Sequence, residues 1–193
     1  MNTEQQQPLP DVEKPDSIRE LGPVDITELK LWVSRLSETI WNQEDERKEN
    51  KFPCFHHTRH IVFRFIPSNR DPRESYANPI WHLCQGILLP LFEKAIAPYG
   101  FSQPVFPKAM LARVAAGHII DRHVDGAGSN LKTHKIHIPL STNPDAFFCT
   151  EKDRFHLEEG IAYEVNNIKP HGVENRGDTD RNHLIFEVYD QAV

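Results

Sequence analysis

The segment His118-Ile-Ile-Asp-Arg-His123-Val-Asp125-Gly126 sets a histidine and an aspartate two positions apart at the end of a stretch with strand character. In a strand, residues i and i+2 project to the same side, so the imidazole and the carboxylate can reach one point. A nitrogen and a hard oxygen converging there make a natural pair of metal ligands. A third ligand has to come from elsewhere. The best candidate is His171, 46 positions beyond Asp125, in Asn166-Asn-Ile-Lys-Pro-His171-Gly172-Val-Glu-Asn175. Pro170 stiffens its approach and Gly172 leaves the imidazole uncrowded. Two histidines and one carboxylate on one face of Fe(II) leave three positions open for a co-substrate and dioxygen, the arrangement non-haem iron oxygenases need.

Arg181 follows His171 by ten positions, at the entry to the last expected strand. A guanidinium binds a carboxylate through two parallel hydrogen bonds, and in this setting its natural partner is the distal carboxylate of 2-oxoglutarate. Lys132 and His134, just after the metal-ligand turn, are expected to supply further donors to that co-substrate. Arg113, Arg122 and Arg154 are candidates to hold a substrate carboxylate. The cluster His56-His57-Thr-Arg-His60 is set aside as a metal site, because His56 and His60 lie ~13 Å apart in an extended chain. Cys84 has no identifiable base to activate it. His137 and His183 fall inside strands and are expected to line the barrel rather than ligate.

The elements that must position these groups can be read from periodicity. Ile26, Leu29, Trp32, Val33, Leu36 and Ile40 make one helical face after an Asp25 cap, and 42–51 is charged enough to be an exposed loop. His60–Ile66 reads as a strand. A second helix is expected from Asn78 to about Ala97, kinked at Pro90. Short strands then follow at 109–114, 119–123, 135–140, 146–149, 161–165 and 183–189, punctuated by Gly, Pro, Asn and Asp. The expected class is α+β, mainly β. A flexible arm (1–23) precedes one domain (24–193), which has a helical layer with a first strand (24–100) and a β-barrel core (101–193).

Composition bounds the rest. With 193 residues the chain has room for one sizeable core. A net charge of -6 argues against a nucleic-acid partner held mainly through phosphates. Three cysteines without CxxC spacing suit free thiols in a reducing compartment. No signal-like start and no long apolar run is present, so the expectation is a cytoplasmic protein with no membrane contact.

Residues of about 109–190 resemble the aspartyl/asparaginyl β-hydroxylase family of Fe(II)- and 2-oxoglutarate-dependent oxygenases. The matching stretches are Leu111-Ala-Arg113-Val-Ala-Ala-Gly117, His123-Val-Asp125, His137-Ile-Pro139-Leu, Glu159-Gly-Ile-Ala-Tyr163-Glu-Val-Asn166, His171-Gly-Val-Glu-Asn175 and Arg181-Asn-His-Leu-Ile185-Phe-Glu-Val. The resemblance implies a double-stranded β-helix, a jelly-roll or cupin-like barrel. It also implies iron at His123, Asp125 and His171, 2-oxoglutarate on Arg181, a second co-substrate contact at His134, and O2 as oxidant. The activity it implies is hydroxylation of a C–H bond with release of succinate and CO2. Family members that act on protein side chains can lack the carboxylate ligand, so Asp125 favours a small substrate, an amino acid or small carboxylate. Two alternatives stay open on the residues alone: a cupin-type metalloenzyme that does not use 2-oxoglutarate, which has no need of Arg181, and a non-catalytic barrel that binds a small ligand, which has no need of three convergent ligands.

Overall fold

The computed structural model describes residues 7–192. In chain order the elements are β1 (Ile18–Pro23), α1 (Thr27–Ser34), α2 (Glu38–Arg47), β2 (Thr58–Phe65), β3 (Tyr76–Ala77), α3 (Trp81–Ile96), β4 (Pro104–Val114), β5 (Ile119–His123), the single turn α4 (Ser129–Lys132), β6 (His134–Ser141), β7 (Ala146–Thr150), β8 (Arg154–Phe155), β9 (Ile161–Val165), β10 (His171–Asn175) and β11 (Arg181–Asp190). They form a seven-stranded sheet, β1-β9-β6-β11-β4-β2-β3, and a four-stranded sheet, β5-β10-β7-β8. The eight strands β4–β11 divide four and four between the sheets, and every ladder is antiparallel. This is the double-stranded β-helix.

Strand alternation sorts the side chains of the large sheet. Leu184, Phe186 and Val188 of β11 point to one face, where with Ile61, Phe63, Leu111 and Ile136 they pack against α3. Phe92 of α3 stacks on Phe186 with ring centroids 4.2 Å apart. Burying side chains of this size stabilises by ~1.5–3 kcal/mol each, which holds the helical layer on the sheet despite Pro90 inside α3. Arg181, His183, Ile185 and Glu187 point the other way, between the sheets. That inner face is unusually polar for a barrel core.

Two expectations for the N-terminal half need correction. The arm is not free over its described length, because residues 18–23 are strand β1, paired antiparallel with β9. Upstream, the Val12 amide donates to the Leu131 carbonyl at 2.9 Å, and Asn166 Nδ2 donates to the Pro15 carbonyl at 2.7 Å. Composition missed this because backbone hydrogen bonds covering an otherwise open sheet edge supply the order, and these leave no apolar signature. The apolar run from Ile26 to Ile40 is also two helices rather than one. The first ends at Ser34, and Ser37 caps the second, its hydroxyl accepting from the Ile40 amide at 3.3 Å. Helix α2 then runs on through charged residues to Arg47, where an exposed loop was expected, and it buries Trp41 beneath the Arg113 guanidinium.

Candidate metal centre

The strand end that carries His123 lies beside the strand that begins with His171, and the two histidines are directly opposite in the β5–β10 ladder. Gly172 makes the approach possible. A Cβ there would sit 2.8 Å from the Ile120 carbonyl oxygen, closer than carbon tolerates, so a larger residue would push the strands apart. Asp125 lies past the end of β5 and is tied down by its own amide, which donates to the Asn167 carbonyl at 3.0 Å.

The donor atoms converge. Nε2 of His123 is 3.3 Å and Nε2 of His171 is 3.9 Å from Asp125 Oδ1, and one donor atom from each residue lies within 4.8 Å of the others. The remaining atoms of each group are engaged elsewhere. Nδ1 of His123 donates to the Asp121 carbonyl at 2.8 Å, and Nδ1 of His171 donates to the Lys169 carbonyl at 2.9 Å. Both rings are thereby held in the tautomer that leaves Nε2 a free acceptor. Asp125 Oδ2 accepts from Lys135 Nζ, and from Asn167 Nδ2 at 3.1 Å. Oδ1 is left facing the two imidazoles. Two imidazole nitrogens and a carboxylate oxygen, each turned inward by an outer hydrogen bond, fit a divalent first-row cation that keeps open positions.

The electrostatics agree with that fit. Burial alone would raise the Asp125 carboxyl, but Lys135 and the two imidazoles hold it well below the usual carboxylate range. Burial lowers His171 to about 4, with the Asp125 carboxylate opposing, so the ring is neutral near pH 7. A metal-binding imidazole must be neutral.

The triad opens into a cavity of about 350 Å³ between the sheets. Arg181 lines it and is 3% exposed. Its recorded hydrogen-bond partner is Nδ1 of His183, at 3.1 Å, and no carboxylate among the described residues lies within ion-pair distance of it. Burial lowers its guanidinium to about 9, which still leaves it charged at neutral pH. His137 also lines the cavity, is 6% exposed, and has no partner among the described residues for either ring nitrogen.

Several residues singled out from the sequence lie elsewhere. His134 bonds Glu164 at 2.6 Å under the Tyr99 ring, and Lys132 pairs with Asp11 at 2.6 Å on the outside. Neither lines the cavity. The expectation was one position out of phase: on β6 it is Lys135 and His137 that turn inward, and a shift of one residue reverses the face. The three arginines proposed for substrate are also outside the cavity. Arg113 lies over Trp41 and bonds Glu38 at 2.6 Å, Arg122 is exposed, and Arg154 pairs with Glu174 at 3.0 Å over Phe147. His60 lines the cavity, and Phe55 packs edge-on against both His60 and His123, with centroids 5.4 and 5.3 Å away. Lys108, Lys135, Asn167 and Phe55 were missed. The two-residue alternation Lys135-x-His137, the same period as Arg181-x-His183 on β11, was the one available signal.

A double-stranded β-helix holding two histidines and an aspartate at its mouth, with an arginine inside that has no carboxylate partner among the described residues, belongs to the jelly-roll class and fits a bound divalent metal. Residues 89–191, just over half of the chain, match the family model described as aspartyl/asparaginyl β-hydroxylase. The chain belongs to that family of 2-oxoglutarate/Fe(II) oxygenases, whose cofactors are Fe(II), 2-oxoglutarate and O2. Solved structures share the fold at low identity. HygX from Streptomyces hygroscopicus, with nickel and 2-oxoglutarate bound, is 13% identical with a TM-score of 0.55, the match covering 91% of this chain and 83% of that one. The viral collagen prolyl hydroxylase of Paramecium Bursaria Chlorella virus-1, in its 2-oxoglutarate complex, is 9% identical at 0.52, covering 90% and 96%. A 2OG-Fe(II) oxygenase family oxidoreductase from Burkholderia pseudomallei is 12% identical at 0.51, covering 68% of this chain and 66%, just under two thirds, of that one. No curated protein sequence matches the chain. Among the described residues, no helix is long and apolar enough to cross a membrane.

Proposed function

We propose that the chain hydroxylates a C–H bond of a small substrate, an amino acid or small carboxylate, with Fe(II) on His123, Asp125 and His171 and 2-oxoglutarate on Arg181. The observation that carries this reading is the state of Arg181. A buried guanidinium without a carboxylate is costly, and it faces the same cavity as the three converging donors. A dicarboxylate that chelates the metal at one end and offers a free carboxylate at the other satisfies both ends of that cavity. A cupin enzyme without 2-oxoglutarate leaves Arg181 unexplained.

Iron, once bound, supplies the activation of dioxygen that is coupled to decarboxylation of the co-substrate. The protein's part is orientation and exclusion of water. Lys135 and Asn167 hold Oδ2 of Asp125 so that Oδ1 is presented. The Asp121 and Lys169 carbonyls fix the imidazoles. Phe148 stacks on His171 with centroids 5.5 Å apart, and with Phe55 it walls the metal position with hydrocarbon. A volume of about 350 Å³ is at the small end for ligand cavities, so co-substrate and substrate together have to be compact.

The test is succinate release from 2-oxoglutarate with Fe(II), screened across free amino acids, small acids and peptides. Stimulation by small acids is expected. Stimulation by peptides alone would reverse the substrate class, and consumption of no 2-oxoglutarate under any condition would overturn the activity.

A further inference from the structure

The cavity has a second arm, away from Arg181. Glu187 stands opposite Lys135 on β6 and opposite Lys108 on β4, so these three side chains form a row across neighbouring strands. Lys135 is at the triad, and Lys108 lies two strands further over. Arg181, by contrast, is six residues from Glu187 along β11, ~20 Å of strand. Phe65 lies against Lys108, with Met110 and Ile185 packed beside it, and Asn50 also lines the cavity.

The polar groups of this arm are incompletely used. Lys108 Nζ is held by Glu187 Oε1 at 2.8 Å and lies 5.4 Å from the Phe65 ring centroid, with its side chain 8% exposed. An ammonium has three donors, and one is taken here by a recorded acceptor. Glu187 is better supplied, because its other oxygen accepts from Thr133 Oγ1 at 2.9 Å. The Asn50 carboxamide is 7% exposed and its Oδ1 has no partner among the described residues. Lys108 pairs with Glu187 and Lys135 pairs with Asp125, so each ammonium at the cavity has one carboxylate. Beside this polar end, Phe65 and Met110 form a small buried apolar cluster against which Ile185 packs.

We propose that this arm is the substrate subsite and that it selects a molecule with one carboxylate on an apolar body. The carboxylate is taken by the spare donors of Lys108, and the body lies on Phe65, Met110 and Ile185 toward the triad. This rests on the oxygenase reading and assigns its specificity to residues other than Arg113, Arg122 and Arg154.

The test is equilibrium binding to the protein loaded with redox-inert Ni(II) and saturating 2-oxoglutarate, so that Arg181 is already occupied. The probes are hexanoate, phenylacetate and leucine, each against its primary amide. At least one acid should bind ~10-fold or more tightly than its amide, since a carboxylate on a buried ammonium is a charge-assisted contact. Removing Lys108 alone strands Glu187, so the informative variant is Lys108→Met combined with Glu187→Gln, a neutral pair of similar shape. In it the acid-to-amide ratio should fall to within about 3, while Lys108→Arg keeps most of the preference. Equal binding of acids and amides by the parent protein, a ratio that survives in the double variant, or no binding by any acid overturns the assignment. Failure of the oxygenase reading looks different: 2-oxoglutarate itself does not bind the nickel-loaded protein. The acid-to-amide comparison then still reads this arm when run in Arg181→Ala.

Discussion

Arg181 and Lys108 are both nearly buried cations facing one cavity, yet they are in opposite electrostatic states. Lys108 has a carboxylate, Glu187, at 2.8 Å, and Arg181 has none among the described residues. A cation with its own counterion belongs to the folded protein, and it can lend only its spare donors to a ligand. A buried cation without one is incomplete until an anion arrives. In the proposed function, the difference separates the end of the cavity that receives the 2-oxoglutarate carboxylate from the end that discriminates among substrates.

The comparison depends on the triad between the two ends, where the largest effect is expected. Asp125→Ala should weaken binding of Mn(II) or Ni(II) by roughly 100-fold or more, since losing even an outer partner of a ligand costs 10–100-fold. His57→Ala, on the exposed side of the neighbouring loop, should leave metal affinity unchanged, and calorimetric titration reads both. Metal binding that survives loss of Asp125 would move the site.

The two cations should then part company in stability. Lys108→Ala leaves the buried Glu187 carboxylate with Thr133 Oγ1 but no ion-pair partner, which should cost about 3 kcal/mol in urea unfolding of the ligand-free protein. Arg181→Ala strands no charged partner, only the His183 ring nitrogen, and removes an uncompensated charge, so its unfolding free energy should be close to that of the parent. A loss at Arg181 as large as that at Lys108 would erase the distinction.

Binding of 2-oxoglutarate reverses the ranking. Arg181→Ala leaves the distal carboxylate unpaired, at a cost on the order of 2–5 kcal/mol. The apparent requirement for 2-oxoglutarate should rise ~30-fold or more. Arg181→Lys should recover part of it, because an ammonium does not reproduce the two-pronged contact.

A smaller effect is expected from the outer support of Asp125. Asn167→Ala removes the 3.1 Å contact to Oδ2 and should lower metal affinity by ~10-fold. The N-terminal segment acts on the same corner, because Lys14 Nζ donates to Asn167 Oδ1 at 2.8 Å and to the Thr133 carbonyl at 2.6 Å. A chain beginning at residue 24 should therefore lose thermal stability as well as part of its metal affinity. An unchanged melting temperature would show β1 to be an ornament of the sheet.

The pH dependence of the metal-free protein has a definite sign. His171 is lowered by burial to about 4 from an ordinary value of 6.5, and burial also holds His137 and His183 well below that value. Between those limits the unfolded chain binds more protons than the folded one, so stability falls as pH drops from about 6.5 toward 4. The melting temperature should decline across that window, and bound Ni(II) should blunt the decline by keeping His171 occupied.

Local chemistry made much of this legible in advance. The spacing of His123 and Asp125 on a strand needed only the two-residue repeat of β structure. The limits of β5 and β9 could be read because Gly, Asn and Asp mark their ends. Arg181 stood out as a cation at the mouth of the last strand. What the sequence determined was the set of elements, the fold class they imply and the residues able to bind metal. Which neighbours those residues would have was decided by tertiary structure. Whether Lys135 or His134 faces the cavity depends on the pairing of β6 with β11, and a change of one residue in phase exchanges them. The burial of Arg181 without a carboxylate, and of Lys108 with one, follows from the pairing of β11 with β4, which sets Glu187 beside Lys108, 79 positions away in sequence. The order of β1 came from backbone hydrogen bonds to β9, and every residue but proline carries the same donor and acceptor, so no side-chain pattern could announce it.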